Sequence, residues 1–222
     1  MKTQLKFLAV TAAVLSAHCA FAQSEGTWMA RIGATTISPQ VNSGNLSAPS
    51  FANSKTDVGS ATALSGGITY MYTDNISFDI PLSLPFKHKL YGAGALSGLG
   101  QIGEVQALPV TAFAQYRFMD AKSVFRPYVG LGVTYAYFFN ASGSAALTAL
   151  TNPGGSPTGI KVDSKWALTP QIGASLALND KWFVDVFYSK TNLSSTTKLS
   201  TGQTVDVALN PNSYGLTVGY KF

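Results

Sequence analysis

Apolar side chains in this chain recur at every second position, in one stretch after another, and that period constrains its fold more than any other feature. Successive residues of a strand point to opposite faces, so period two gives a strand one apolar face, whereas a helix needs spacings of three and four. The cleanest case is residues 76–86, where Ile76, Phe78, Ile80, Leu82, Leu84 and Phe86 share a parity. Seven more stretches follow the same rule. Residues 28–37 align Trp28, Ala30, Ile32 and Ala34, and residues 61–73 align Leu64, Ile68, Tyr70 and Tyr72. Residues 107–119 align Leu108, Val110, Ala112, Ala114, Tyr116 and Phe118, and residues 126–140 align Val129, Leu131, Val133, Tyr135, Tyr137 and Phe139. Residues 164–178 carry Trp166, Leu168, Ile172, Ala174, Leu176 and Leu178, and residues 182–192 carry Trp182, Val184, Val186 and Tyr188. The eighth stretch, 205–222, aligns Tyr214, Leu216, Val218, Tyr220 and Phe222.

Charged residues make only 11% of the chain while apolar residues reach 46%. Soluble domains carry about 25% charged residues, so much of this surface does not face water. Beyond the first thirty positions no apolar run is long enough for a membrane-spanning helix. Alternating strands of roughly 9–11 residues, few charges, and Trp and Tyr near the strand ends predict an all-β, eight-stranded antiparallel transmembrane β-barrel.

The charges test this independently. Arg31, Asp79, Arg117, Lys165 and Asp185 all have the parity opposite to the apolar face of their strand. A Lys or Arg facing lipid near the midplane costs about 2–4 kcal/mol, which a lumenal position avoids. The inward parity also holds Met29, Met71, Phe113, Phe138, Phe183 and Phe187, and these eleven residues are the predicted lumen lining. Such an interior either holds a small apolar ligand or is simply filled by its own side chains.

The breaks alternate in length. Those near 73–75, 120–123 and 179–181 are short and polar, and the others are longer and rich in Gly, Ser, Asn and Pro. Short periplasmic turns and long external loops are the barrel pattern. Residues 141–150 are Ala-rich and predict a small helix within one long loop. Pro81, Pro85, Pro109 and Pro170 fall inside predicted strands and lack the ladder donor, so bulges or strand ends are expected there.

The first residues carry an export signal. Lys2 and Lys6 precede a short apolar core at 7–17, and Ala20-Phe21-Ala22 suits cleavage. Residues 1–22 are therefore read as a signal peptide and 23–222 as the barrel. Losing two lysines leaves 13 basic and 10 acidic residues, a net charge of +3, too mild to imply nucleic acid as a partner. The sole cysteine, Cys19, lies in the signal, and His88 is the one histidine after it. These do not make a zinc site, and no cofactor is expected. Catalysis would need a nucleophile with a base in reach. His88 sits between Lys87 and Lys89, where headgroup contact or plain solvation is the expected role, and the chain is read as a non-enzyme.

Tyr220 and the terminal Phe222 close an alternating strand in the manner of an assembly signal for the barrel-assembly machinery. Particular motifs then accumulate: residues 31–39 (RIGATTISP), 70–76 (YMYTDNI), 85–89 (PFKHK), 125–132 (FRPYVGLG), 179–182 (NDKW) and 219–222 (GYKF). In this order and spacing they resemble the OmpW family over nearly the whole of 23–222. The resemblance implies residence in the Gram-negative outer membrane. It also implies a narrow, porin-like channel that passes small hydrophobic solutes and releases them sideways into the lipid. No gate residue can be carried over. The alternative is a structural or adhesive barrel whose loops bind a partner, although residues 42–54 and 142–158 hold few of the aromatic and Arg side chains that dominate binding surfaces.

Overall fold

The computed structural model describes residues 23–222, so the predicted signal segment and Cys19 lie outside the described residues. The first strands in chain order are β1 (Trp28–Ser38), β2 (Asn42–Ser43), β3 (Ser54–Val58), β4 (Ala61–Met71) and β5 (Ile76–Ser83). Next come β6 (Phe86–Gly94), β7 (Gln101–Arg117), β8 (Phe125–Gly143), helix α1 (Ala145–Thr151), β9 (Ile160–Val162) and β10 (Lys165–Ala177). The chain finishes with β11 (Trp182–Lys190), β12 (Ser194–Leu199), β13 (Thr204–Ala208) and β14 (Asn212–Lys221).

Eight strands close into a ring. Each of β1, β4, β5, β7, β8, β10, β11 and β14 pairs antiparallel with the next, and β14 returns to β1. Ile32, for example, lies between Gly66 of β4 and Val218 of β14. Closure pairs every strand of the ring on both sides over at least part of its length, the condition for placing strands in lipid, where unpaired backbone groups find no water.

The predicted parity holds around the wall. Ile32, Leu64, Phe78, Ile80, Leu131, Leu168 and Leu216 point outward and are exposed, while Arg31, Asp79, Arg117 and Asp185 point inward. Aromatic side chains gather at both margins. Trp28 meets Tyr70 at 4.7 Å, Trp182 meets Tyr220 at 5.1 Å and Tyr116 meets Phe118 at 5.1 Å near the short turns. Tyr135 meets Trp166 at 4.9 Å on the opposite side. Two such belts mark the two membrane interfaces.

The short turns are set by side chains. Thr73 Oγ1 accepts from the backbone N–H groups of Asn75 and Ile76, and Asn179 Oδ1 accepts from those of Lys181 and Trp182. Local capping of this kind fixes a tight reversal without help from the rest of the fold.

At the other end the structure departs from expectation. The third predicted stretch, 76–86, is broken: β5 ends at Ser83 and β6 begins at Phe86. Parity reverses across the break, so Phe86, expected outward with Ile80 and Leu82, is 1% exposed and faces the lumen. Much of the expected long connection after that stretch is instead the β6–β7 hairpin, rising above the lipid span. The eighth stretch divides into β13 and β14, and the helix begins at Ala145 because Ala141–Gly143 continue β8. Here β2, β13, β12 and β9 form a second, four-stranded sheet built from external segments. Its inward residues Leu199, Val205 and Val207 are buried.

Candidate functional site

Between this external sheet and the middle of the barrel lies a cavity of about 180 Å³. Its upper wall is apolar, with Phe86 and Leu90 from β6, Val105 and Ala107 from β7, Ala136 and Phe138 from β8, and Leu199, Val205 and Val207 from the sheet above. An apolar cavity of about 150 Å³ stays dry and accepts benzene, so this space suits a small apolar molecule.

Below the cavity the lumen is filled by a polar network. Arg31 donates to both carboxylate oxygens of Asp79, at 2.5 and 2.7 Å, and to Thr69 Oγ1 at 2.8 Å, while Thr69 donates to Asp79 at 2.6 Å. Arg117 donates to Ser77 at 3.0 Å, Ser175 at 2.8 Å, Gln115 at 3.0 Å and Gln23 at 3.2 Å, and lies over the Tyr128 ring at 4.7 Å. Tyr128 donates to Asp185 at 3.0 Å, and Gln115 donates to Gln171 at 2.8 Å. Arg126 closes the bottom by donating to the backbone oxygens of Gln23 and Asp74 at 2.7 and 2.6 Å. Lateral partners from β1, β4, β5, β7, β8, β10 and β11 thus tie the lower lumen shut. An apolar solute crossing this floor would displace charge-assisted hydrogen bonds it could not replace.

The wall itself has an interval without strand pairing. Pairing between β5 and β7 stops at Asp79 and Phe113, and pairing between β6 and β7 resumes at Phe86 and Ala107. Residues 80–85 face residues 108–112 across this interval, six against five, with no pairing between them among the described residues. Three of the flagged prolines explain it. Pro81, Pro85 and Pro109 all fall in the interval and supply no N–H. The fourth, Pro170, stays paired with Leu131 of β8, and the β10–β11 pairing ends beside it at Gln171, near the upper end of β11. Cavity-lining residues come from both faces of the wall here, since inward Pro81 and outward Leu82 both border the same space.

The predicted lining residues divide by height. Phe113, Phe138 and Phe187 border the cavity. Arg31, Asp79, Arg117 and Asp185 form the floor network beneath it, and Met29, Met71 and Phe183 pack together lower still. Lys165 is a correction: it begins β10 beyond the lumen and is exposed, because inward parity reaches water once a strand passes the barrel rim. His88 is another, since it is 4% exposed, borders the cavity and places Nδ1 2.8 Å from the Gly59 backbone oxygen. Lys87 and Lys89 remain exposed on its two sides. Tyr128, Gln115, Gln171 and Arg126 join the lumen beyond the eleven predicted residues, and inward parity was the signal for each. The external sheet was not expected, and the alternation of Val205 and Val207 was its signal in the sequence.

A closed antiparallel wall, apolar outside between aromatic belts and ionic inside, defines an outer-membrane β-barrel protein. Comparison with known proteins agrees. The OmpW family profile matches residues 24–222, and the chain belongs to that family. The outer membrane protein W of Vibrio cholerae serotype O1 is 38% identical over 228 residues, covering all of both chains. The crystal structure of OprG from Pseudomonas aeruginosa superposes with a TM-score of 0.81 at 26% identity, covering 90% of this chain and 98% of OprG. The dibenzothiophene metabolism operon protein PahQ of Pseudomonas aeruginosa is 25% identical over 203 residues, 89% of this chain and 90% of that one.

Proposed function

We infer that this outer-membrane barrel is a passive channel for small hydrophobic molecules, which enter the cavity from the external side and leave through the side wall into the lipid. The observation that carries this reading is the combination of an apolar cavity, a hydrogen-bonded ionic floor and an unpaired interval between residues 80–85 and 108–112. An apolar solute meets a steep desolvation barrier below and apolar Leu82 beside it. The name of PahQ, which ties that relative to dibenzothiophene metabolism, is in keeping with an apolar cargo. Passage of this kind needs no catalytic residue, and we read the protein as a non-enzyme. The external segments turn Leu199, Val205 and Val207 toward the cavity, which favours a roof over an adhesive surface. Tyr220 and Phe222 lie on the lipid face at the base of the wall, where the barrel-assembly machinery could read them.

The test is uptake of naphthalene by intact Gram-negative cells with and without the protein. Faster uptake is expected with it. A cysteine pair at Leu82 and Val110, oxidised to bridge the interval, should slow uptake, and reduction should restore it. Equal uptake by cells lacking the protein would refute the channel, and uptake unaffected by a verified bridge would refute the sideways exit.

A further inference from the structure

The lower part of the cavity differs chemically from its roof. Thr111 on β7, Thr134 on β8, Thr169 on β10 and Thr191 just beyond β11 border it, and all four are buried. Their hydroxyls form one chain, with Oγ1–Oγ1 distances of 2.8, 2.6 and 3.1 Å. On the opposite arc of the ring Thr35 and Ser65 make a second hydroxyl pair at 2.7 Å, also bordering the cavity.

We propose that this threonine chain is a head-group subsite, which takes an uncharged molecule with an apolar body and one hydroxyl or carbonyl group. The proposal rests on the cavity being the solute pocket argued above and specifies the class of solute. Each hydroxyl offers one donor and two acceptor lone pairs. Three links among four hydroxyls use three O–H groups, so one donor and several lone pairs remain at the cavity boundary. A ligand hydroxyl can both donate and accept there, and a carbonyl can accept.

Charge is disfavoured for a physical reason. The cations nearest below, Arg31 and Arg117, already donate to Asp79, Thr69, Ser77, Ser175, Gln115 and Gln23. A carboxylate at the threonine chain would lose water among uncharged hydroxyls, because Lys55 and His88 line the cavity from β3 and β6, strands that contribute nothing to the chain. Thr111 also lies on the stretch of β7 that lacks a β5 partner, so a bound head group would hold the apolar body beside the unpaired interval.

The experiment uses the full barrel in lipid nanodiscs with labelled Leu193 and Leu199 methyl groups, both of which border the cavity. The probes are benzyl alcohol, its apolar isostere ethylbenzene, and benzoate. Benzyl alcohol and ethylbenzene should shift these signals and benzoate should not. In Thr134→Val/Thr169→Val the affinity for benzyl alcohol should fall about two- to tenfold, the range of one hydrogen bond, while that for ethylbenzene holds or rises. Thr134→Ser alone should keep the preference. If ethylbenzene binds but the alcohol is unaffected by loss of the hydroxyls, or benzoate binds as tightly as the alcohol, the head-group subsite is refuted and the channel stands. If neither neutral probe shifts the methyl signals, the cavity is not a solute pocket and both readings fall.

Discussion

Replacing Asp79 with alanine should destabilise the barrel by about 3–5 kcal/mol, the usual cost of stripping one partner from a buried ion pair. Asp79 is fully buried and accepts three hydrogen bonds, two from Arg31 and one from Thr69. The alanine leaves the Arg31 guanidinium in the lumen with Thr69 as its one remaining hydrogen-bond partner of that set. An exposed ion pair, held in water and screened, would lose only about 0–1 kcal/mol. The two regimes are therefore separable by measurement. Equilibrium urea unfolding in lipid vesicles, followed through Trp28, Trp166 and Trp182 at the two interfaces, reads the difference. The double variant Arg31→Met/Asp79→Leu should recover most of the loss, because a well-packed apolar pair avoids the desolvation of both charges. A loss below about 1 kcal/mol for Asp79→Ala would show that water reaches the floor and screens the pair, so that the floor is not closed.

Other consequences can be checked separately. Nitroxide labels at Ile80 and Leu131 should be relaxed by oxygen dissolved in lipid and shielded from water-soluble nickel reagents, and the reverse pattern would turn the barrel inside out. Gly219 lies beneath the Phe183 ring, where an added Cβ would fall 2.1 Å from Cζ, so Gly219→Val should cost about 1–3 kcal/mol of unfolding stability through overpacking. Outside the membrane span, Lys198 donates to both oxygens of Asp163 at 3.1 and 2.9 Å and holds that carboxyl below its ordinary value of 3.8. The pair is therefore intact above that value and is lost as pH falls through the depressed one. A carbon-13 titration should show the low midpoint, and Lys198→Ala should return it to the ordinary range.

Residue by residue, the transmembrane wall was legible because period two is a local property. Ile32, Leu131 and Leu216 face lipid and Arg31, Asp79 and Arg117 face inward because each strand alternates, whatever its neighbours are. The short turns were legible for the same reason, since Thr73 and Asn179 cap them with their own side chains. The four prolines were visible too, but not which of them would matter. Pro170 stands alone where the β10–β11 pairing ends, whereas Pro81, Pro85 and Pro109 meet from different strands at one place in the wall.

That convergence belongs to register, and register is a relation between strands that no single segment encodes. The reversed parity of Phe86, the burial of His88 and the exposure of Lys165 depend on where each strand bends or leaves the barrel. The floor network joins Arg117 to Gln23, Ser77 and Ser175, residues distant in the chain that closure of the ring brings together. Alternation along the chain therefore determined that this protein is a lipid-embedded barrel with its ions inside. Three-dimensional closure alone decided that the lumen is hydrogen-bonded below, apolar above and unpaired at one side, because those properties arise from contacts between strands.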